Sequence, residues 1–154
     1  MRTTYDPVSA DRTQLLIVGA GPVGLFAGLC AAQRGVDVML LEQSFNRGHA
    51  AVLHPSSVRL LEGLGLGAEL LAAGRKLNRV DVYLANSLAT TIELPQSALT
   101  IPQSVLEEIL LTGLRREGVE FKSPCQATAL EEHSDRVRIH AVRRQPVAMT
   151  SPAT

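Results

Sequence analysis

The stretch Leu15-Leu16-Ile17-Val18-Gly19-Ala20-Gly21-Pro22-Val23-Gly24-Leu25-Phe26-Ala27-Gly28 decides how this chain of 154 residues is read. It opens a run from Leu15 to Ala32 with no charged side chain, 18 residues long, the length at which a membrane helix has to be considered. Gly19, Gly21, Pro22, Gly24 and Gly28 fall inside that run, and each would weaken one continuous helix. The leader before it carries Asp6 and Asp11, where a secretory signal would be basic. A strand, a turn and a helix explain the same residues better. Leu15-Leu16-Ile17-Val18 suits a strand buried on both faces, and a helix from about Pro22 to Arg34 can end at Gly35 through a left-handed cap. Pro22 then takes an early helical position, where its missing N–H is no loss.

Val36 to Glu42 reads as a second apolar strand, and its distance from the first fits a βαβ unit with a parallel pair. That context gives the glycine pattern its meaning. Gly19 permits the tight turn off the strand, Gly21 lets a pyrophosphate approach the backbone, and Gly24 lets helix and strand pack closely, with Gly28 extending the contact one turn later. The unpaired amides and positive dipole end of the helix can hold two phosphates without a lysine. Glu42, 23 residues after Gly19, stands where such folds place a carboxylate that accepts hydrogen bonds from the adenosine ribose. A carboxylate there repels a 2′-phosphate, so FAD or NAD is expected over NADP. The candidate cofactor-binding residues are Gly19, Ala20, Gly21, Pro22, Val23 and Gly24, with Glu42 and its neighbour Gln43. The plain alternative is a purely structural turn with Glu42 as a solvated strand end.

Composition bounds the other possibilities. With 45% hydrophobic and 19% charged residues, the chain is globular and of one-domain size. Fifteen basic and fifteen acidic residues cancel, so no net field gathers nucleic acid or anionic lipid. Two Tyr, three Phe and no Trp leave few faces on which bases could stack. Neither nucleic acid nor a membrane is expected as a partner. Cys30 and Cys125 lie far apart without a Cys-x-x-Cys pattern, which signals neither zinc nor a disulfide framework and suits a reducing, cytoplasmic location.

Residues 1–13 read as a frayed leader. Gln43 to Leu53 reads as an ordered loop. Pro55 restarts helix, with Ser56 to Glu62 and Ala68 to Ala73 broken by Gly63-Leu64-Gly65-Leu66-Gly67 and ended by Gly74. Arg79 to Ala85 and Thr90 to Leu94 suggest an antiparallel pair turning at Asn86 and Ser87. Ser104-Val105-Leu106-Glu107 has capping-box spacing, and a helix with Leu106, Ile109, Leu110, Gly113 and Leu114 on one face should run to Gly118. Val119 to Lys122, Gln126 to Leu130 and Arg136 to Val142 read as strands. Residues 143–154 read as an irregular tail, leaving 14–142 as the domain proper.

The glycine loop, Glu42, Arg47-Gly48-His49-Ala50-Ala51-Val52-Leu53-His54-Pro55 and Ile101-Pro102-Gln103-Ser104-Val105-Leu106-Glu107 occur in the order and spacing of one family. From about Gln14 to Val142 the chain resembles the FAD-dependent aromatic-ring hydroxylases of the p-hydroxybenzoate hydroxylase type. The resemblance implies an α/β fold, a Rossmann-like FAD-binding domain of glutathione-reductase type, incomplete here, with an antiparallel strand set. It implies FAD at the glycine loop and Glu42, with Gln103 against the flavin's linker. It also implies contacts from the loop after the acid, where the family's Arg-x-Arg-Ala reads Arg47-Gly48-His49-Ala50. Histidine in place of the second arginine loses the fixed charge and the fork. Ser56 likewise stands where many relatives have arginine. The implied parent activity is monooxygenation: NAD(P)H reduces FAD and oxygen hydroxylates a small phenol-like substrate. The family's later Gly-Asp segment and substrate-binding sheet are not in this sequence, so the resemblance covers the first portion of such an enzyme. No catalytic side chain is assigned, because the cofactor carries the chemistry. A non-catalytic dinucleotide-binding module or a truncated, inactive paralogue are the alternatives. A part-domain would leave sheet edges unpaired, and self-association is expected through them.

Other candidates carry less. His133-Ser134-Asp135 has the letters of a hydrolase triad, but three consecutive turn residues cannot converge on one hydrogen-bonded line. His49 and His54 have no carboxylate or cysteine cluster near them in sequence, so no metal site is expected. Cys30 should pack as a small hydrophobe. Arg136, Arg138, Arg143 and Arg144 read as the wet face and end of a strand.

Overall fold

The computed structural model describes residues 5–7, 12–44 and 50–144. Its elements run β1 (Tyr5–Pro7), β2 (Leu15–Val18), α1 (Pro22–Ala32), β3 (Val38–Leu41), β4 (Ala50–Leu53), α2 (Pro55–Gly63), α3 (Gly67–Ala73), β5 (Arg75–Leu84), β6 (Ser87–Pro102), α4 (Gln103–Arg116), β7 (Glu120–Lys122), β8 (Cys125–Glu132) and β9 (Val137–Arg144). They form an α/β fold with one parallel sheet, β2-β3-β7, and two antiparallel ones, β4-β6-β5 and β1-β9-β8.

The apolar run breaks as its glycines require. Leu15–Val18 pairs in parallel with Val38–Leu41, Gly19 turns at φ 104°, and α1 starts at Pro22 and is 11 residues long. No helix among the described residues is long and apolar enough to cross a membrane. Gly35 sits at φ 76° after the helix, in the left-handed region anticipated for it. The four residues of β3 are buried throughout, as a central parallel strand should be.

Burial on one side of the parallel sheet explains the rest of the core. Leu25 and Leu29 of α1 pack with Leu106, Leu110 and Leu114 of α4, Leu40 of β3, and Leu61 and Leu70 of α2 and α3. Gly28 and Gly113 let the helices approach. A β-carbon on Gly28 would come within 3.3 Å of Leu40 and 3.4 Å of Leu114, and one on Gly113 within 3.0 Å of Leu29. Met39, Leu41 and Cys125 form a smaller cluster on the opposite face, under β8 and β9.

Several expectations are corrected. Ala50–Leu53, assigned to a loop, is strand β4, because β6 offers it a ladder running from Ala50↔Pro102 to Leu53↔Leu99. The antiparallel pair is longer than its alternation suggests. Pro95 falls where the register slips between Leu77 and Arg79, a gap in the ladder where a missing N–H is tolerated. The hairpin turns on Ala85 and Asn86, both at positive φ, while Ser87 already pairs with Leu84. Within the stretch read as a frayed leader, Tyr5–Pro7 pairs with Val142–Arg144, extending β9 past the anticipated end at Val142. Residues 145–154 lie outside the described residues.

The capping box is also absent. Helix α4 begins at Gln103 with Pro102 as its cap and no side-chain cap bond, so Ser104 lies inside the first turn. With Pro102 as the cap, the third helical position is Val105 and Glu107 is the fifth, so the glutamate no longer stands where a capping box needs it.

Candidate dinucleotide site

The end of β2, the start of α1 and the end of β3 meet at the carboxyl end of the parallel strands. Gly19 N–H donates to the Leu41 carbonyl at 2.8 Å, closing the strand end against its neighbour. Gly21 is the N-cap residue of α1, with extended backbone and no side-chain capping bond, so among the described residues no side chain caps the first-turn amides. The glycines differ in what surrounds them. A β-carbon on Gly24 would run into the carbonyl oxygen of Gly19, whereas one on Gly21 would meet none of the described residues within 4 Å. The first is a packing requirement; the second leaves open space in front of helix amides.

Glu42 follows β3 and is half-buried beside this loop. Its Oε2 accepts from Ala20 N–H at 2.5 Å and its Oε1 from Ser44 N–H at 2.7 Å. Each carboxylate oxygen retains acceptor capacity, so the group can take hydroxyl donors while bonded to the loop. The backbone of Glu42 is held on both sides, donating to Lys122 and accepting from Cys125. Gln43 comes next and is exposed. An open glycine loop at a helix start with a fixed acceptor beside it fits an adenine dinucleotide.

Gln103 opens α4, and β4 enters its sheet with Ala50 opposite Pro102, the residue just before it. Arg47 and His49 immediately precede Ala50 but lie outside the described residues. Between the starts of α1 and α4 runs an apolar groove of about 210 Å³, lined by Pro22, Val23 and Phe26 of α1, Leu53 of β4, and Leu106 and Leu110 of α4 among others. It lies on the α4 side of the cradle and does not include Glu42.

Two contacts to the candidate residues escaped the sequence. Ser44 supplies a backbone N–H to Glu42, which no side-chain pattern reveals. Glu107, read as half of a capping box, is instead buried and accepts from Gln103 Nε2 at 2.8 Å. Its helical offset of four from Gln103 was the available signal. Among the described residues, no group of three or more His, Cys, Asp and Glu side chains could hold a metal. His54 instead caps α2, its Nδ1 accepting from the Ser56 N–H.

A family model described as FAD binding domain matches residues 12–148. The chain belongs to that FAD-binding family. It is 29% identical over 128 residues to protoasukamycin 4-monooxygenase of Streptomyces nodosus subsp. asukaensis, covering 75% of this chain and 31% of that protein. It is 26% identical over 137 residues to digeranylgeranylglycerophospholipid reductase 1 of Methanothermobacter thermautotrophicus, covering 83% of this chain and 34% of that one. Among solved structures, the OxyS anhydrotetracycline hydroxylase of Streptomyces rimosus superposes with a TM-score of 0.75 at 28% identity, over 85% of this chain and 28% of the other. The chain thus spans about a third of the length of these curated relatives, and that third is FAD-binding domain.

Proposed function

We propose that this chain holds FAD at the carboxyl end of its parallel strands and provides the dinucleotide-binding portion of a monooxygenase that hydroxylates a small, phenol-like molecule. The observation that carries the reading is the open Gly21 at an uncapped helix start, with Glu42 tied to the adjoining Ala20 amide. The first-turn amides of α1 would take the diphosphate and Glu42 the ribose hydroxyls. Gln103 would meet the linker, and Arg47 and His49 would approach from the segment ahead of β4. When bound, FAD supplies the redox centre for oxygen insertion, with NAD(P)H as reductant. The protein's part is to bind, orient and shield.

The similarity to a monooxygenase and to a hydroxylase supports oxygen insertion, while the similarity to a reductase defines the competing outcome. Cys30 and Cys125 are both free thiols, which supports a reducing, cytoplasmic setting. Self-association is part of the same reading. Val80, Tyr83, Leu88 and Ile92 expose apolar surface on the β5-β6 ribbon, and β5 is an edge strand. Sedimentation should show species larger than a monomer.

The test is to purify the chain, add FAD and measure flavin stoichiometry together with NAD(P)H oxidation in the presence and absence of oxygen. Bound flavin near one per chain supports the cofactor assignment. Oxygen-dependent NAD(P)H consumption adds the monooxygenase, flavin without turnover indicates a binding module, and no bound flavin contradicts the proposal.

A further inference from the structure

Glu107 lies on the buried face of α4 between Leu106 and Leu110, and is only 3% exposed. One carboxylate oxygen, Oε1, accepts from Gln103 Nε2 at 2.8 Å. The other, Oε2, is buried with no hydrogen-bond partner among the described residues. A carboxylate kept dry with a single side-chain donor is costly, and a leucine would fill such a helical position at less expense. It does not cap the helix either. Glu107 is the fifth residue of α4, and the cap at Pro102 receives no side-chain bond.

We infer that Glu107 is a positioning residue that sets the orientation of the Gln103 carboxamide at the cofactor site, an inference resting on the flavin reading above. A carboxylate accepts and does not donate, so the group it can hold is the NH2 end of Gln103. The carboxamide oxygen is thereby turned away from Glu107 as an acceptor, suited to a hydroxyl of the polyol that joins phosphate to ring in FAD. Without Glu107 the carboxamide can rotate half a turn and present a donor in place of the acceptor. The carboxylate therefore selects which face of Gln103 the ligand meets. A helix turn spaces the two residues for this contact, since positions four apart share a face.

The experiment is a double-mutant cycle on the whole chain, using FAD itself as the probe. Flavin fluorescence gives the dissociation constant, and thermal unfolding without FAD reports the fold. Glu107→Gln and Gln103→Ala should each weaken FAD binding up to about tenfold, with the double variant no weaker than Gln103→Ala alone. Glu107→Leu should keep or raise the thermal midpoint of the flavin-free chain while losing the same affinity. Unchanged affinity in both Glu107 variants, or losses that add fully to those of Gln103→Ala, would overturn the positioning role and leave the flavin site standing. Absence of binding by the unsubstituted chain would overturn the flavin reading itself, and this inference with it.

Discussion

The carbonyl oxygen of Gly19 stands in the space that a β-carbon on Gly24 would occupy. Strand end and helix start are therefore in contact through backbone, and the loop between them has its shape imposed from both sides. Gly24→Ala forces either the turn or the helix to move. A loss of about 3 kcal/mol in stability is expected, as for other overpacked sites, and urea unfolding measures it.

Gly21 separates binding from folding. Its φ of −71° suits any residue and none of the described residues lies within 4 Å of an added β-carbon, so Gly21→Ala should leave the urea midpoint close to that of the parent chain. The added methyl group would stand where the diphosphate approaches. FAD affinity should fall at least about tenfold, a change that flavin fluorescence resolves. Loss of stability in place of affinity would place the diphosphate elsewhere.

Glu42→Gln keeps the side chain's size and removes its charge. Two backbone donors, Ala20 N–H and Ser44 N–H, now face a group with only one acceptor oxygen. Stability should fall by about 1–3 kcal/mol. Repulsion of a 2′-phosphate should also relax, so competition by 2′-phosphorylated adenosine diphosphate against FAD becomes stronger in the variant than in the parent. Equal competition in both would remove Glu42 from the ribose.

The hairpin offers a stabilising change. Ala85 takes φ 45°, a conformation that costs a side chain about 1–2 kcal/mol and glycine much less. After the extra chain entropy that glycine loses on folding, Ala85→Gly should gain about 0.5–1 kcal/mol, read as a raised thermal midpoint.

Acid should loosen the β8-β9 hairpin. The His140 hydrogen bond, at 2.8 Å, holds the Glu131 carboxyl below its ordinary range, with help from the charges of His140 and Arg138 and from His133. A lowered value in the folded chain means stability that is present above the unfolded value, near pH 4, and is lost as pH falls through the lowered one. The pair is exposed, so the effect is local. Histidine side-chain NMR of His140 should show an acid step below the ordinary carboxylate range that Glu131→Gln removes.

How much of this was legible depended on how local the cause was. The βαβ unit was readable because a glycine-broken apolar run admits few other folds, and the position of Glu42 followed from it. Strand β4 was not, since Ala50–Leu53 is a strand only because Leu99–Pro102, distant in sequence, lies alongside. The pairing of Tyr5–Pro7 with the end of β9 escaped for the same reason. Glu107 was misassigned because capping-box spacing is a local signal, and Pro102 moved the helix start one residue ahead of Ser104. Ser44 acts through its backbone and left no mark in residue type. The resemblance named FAD, which the glycine loop and Glu42 by themselves left open between FAD and NAD.

The central claim is that main-chain N–H groups at the start of α1 grip the cofactor's diphosphate. Titrating FAD into isotope-labelled chain while following backbone amide resonances tests it most directly. The account expects the largest saturable shifts at Gly21, Val23 and Gly24, together with Ala20, whose N–H is shared with Glu42. Saturation with FAD that leaves those amides in place and moves others would contradict it.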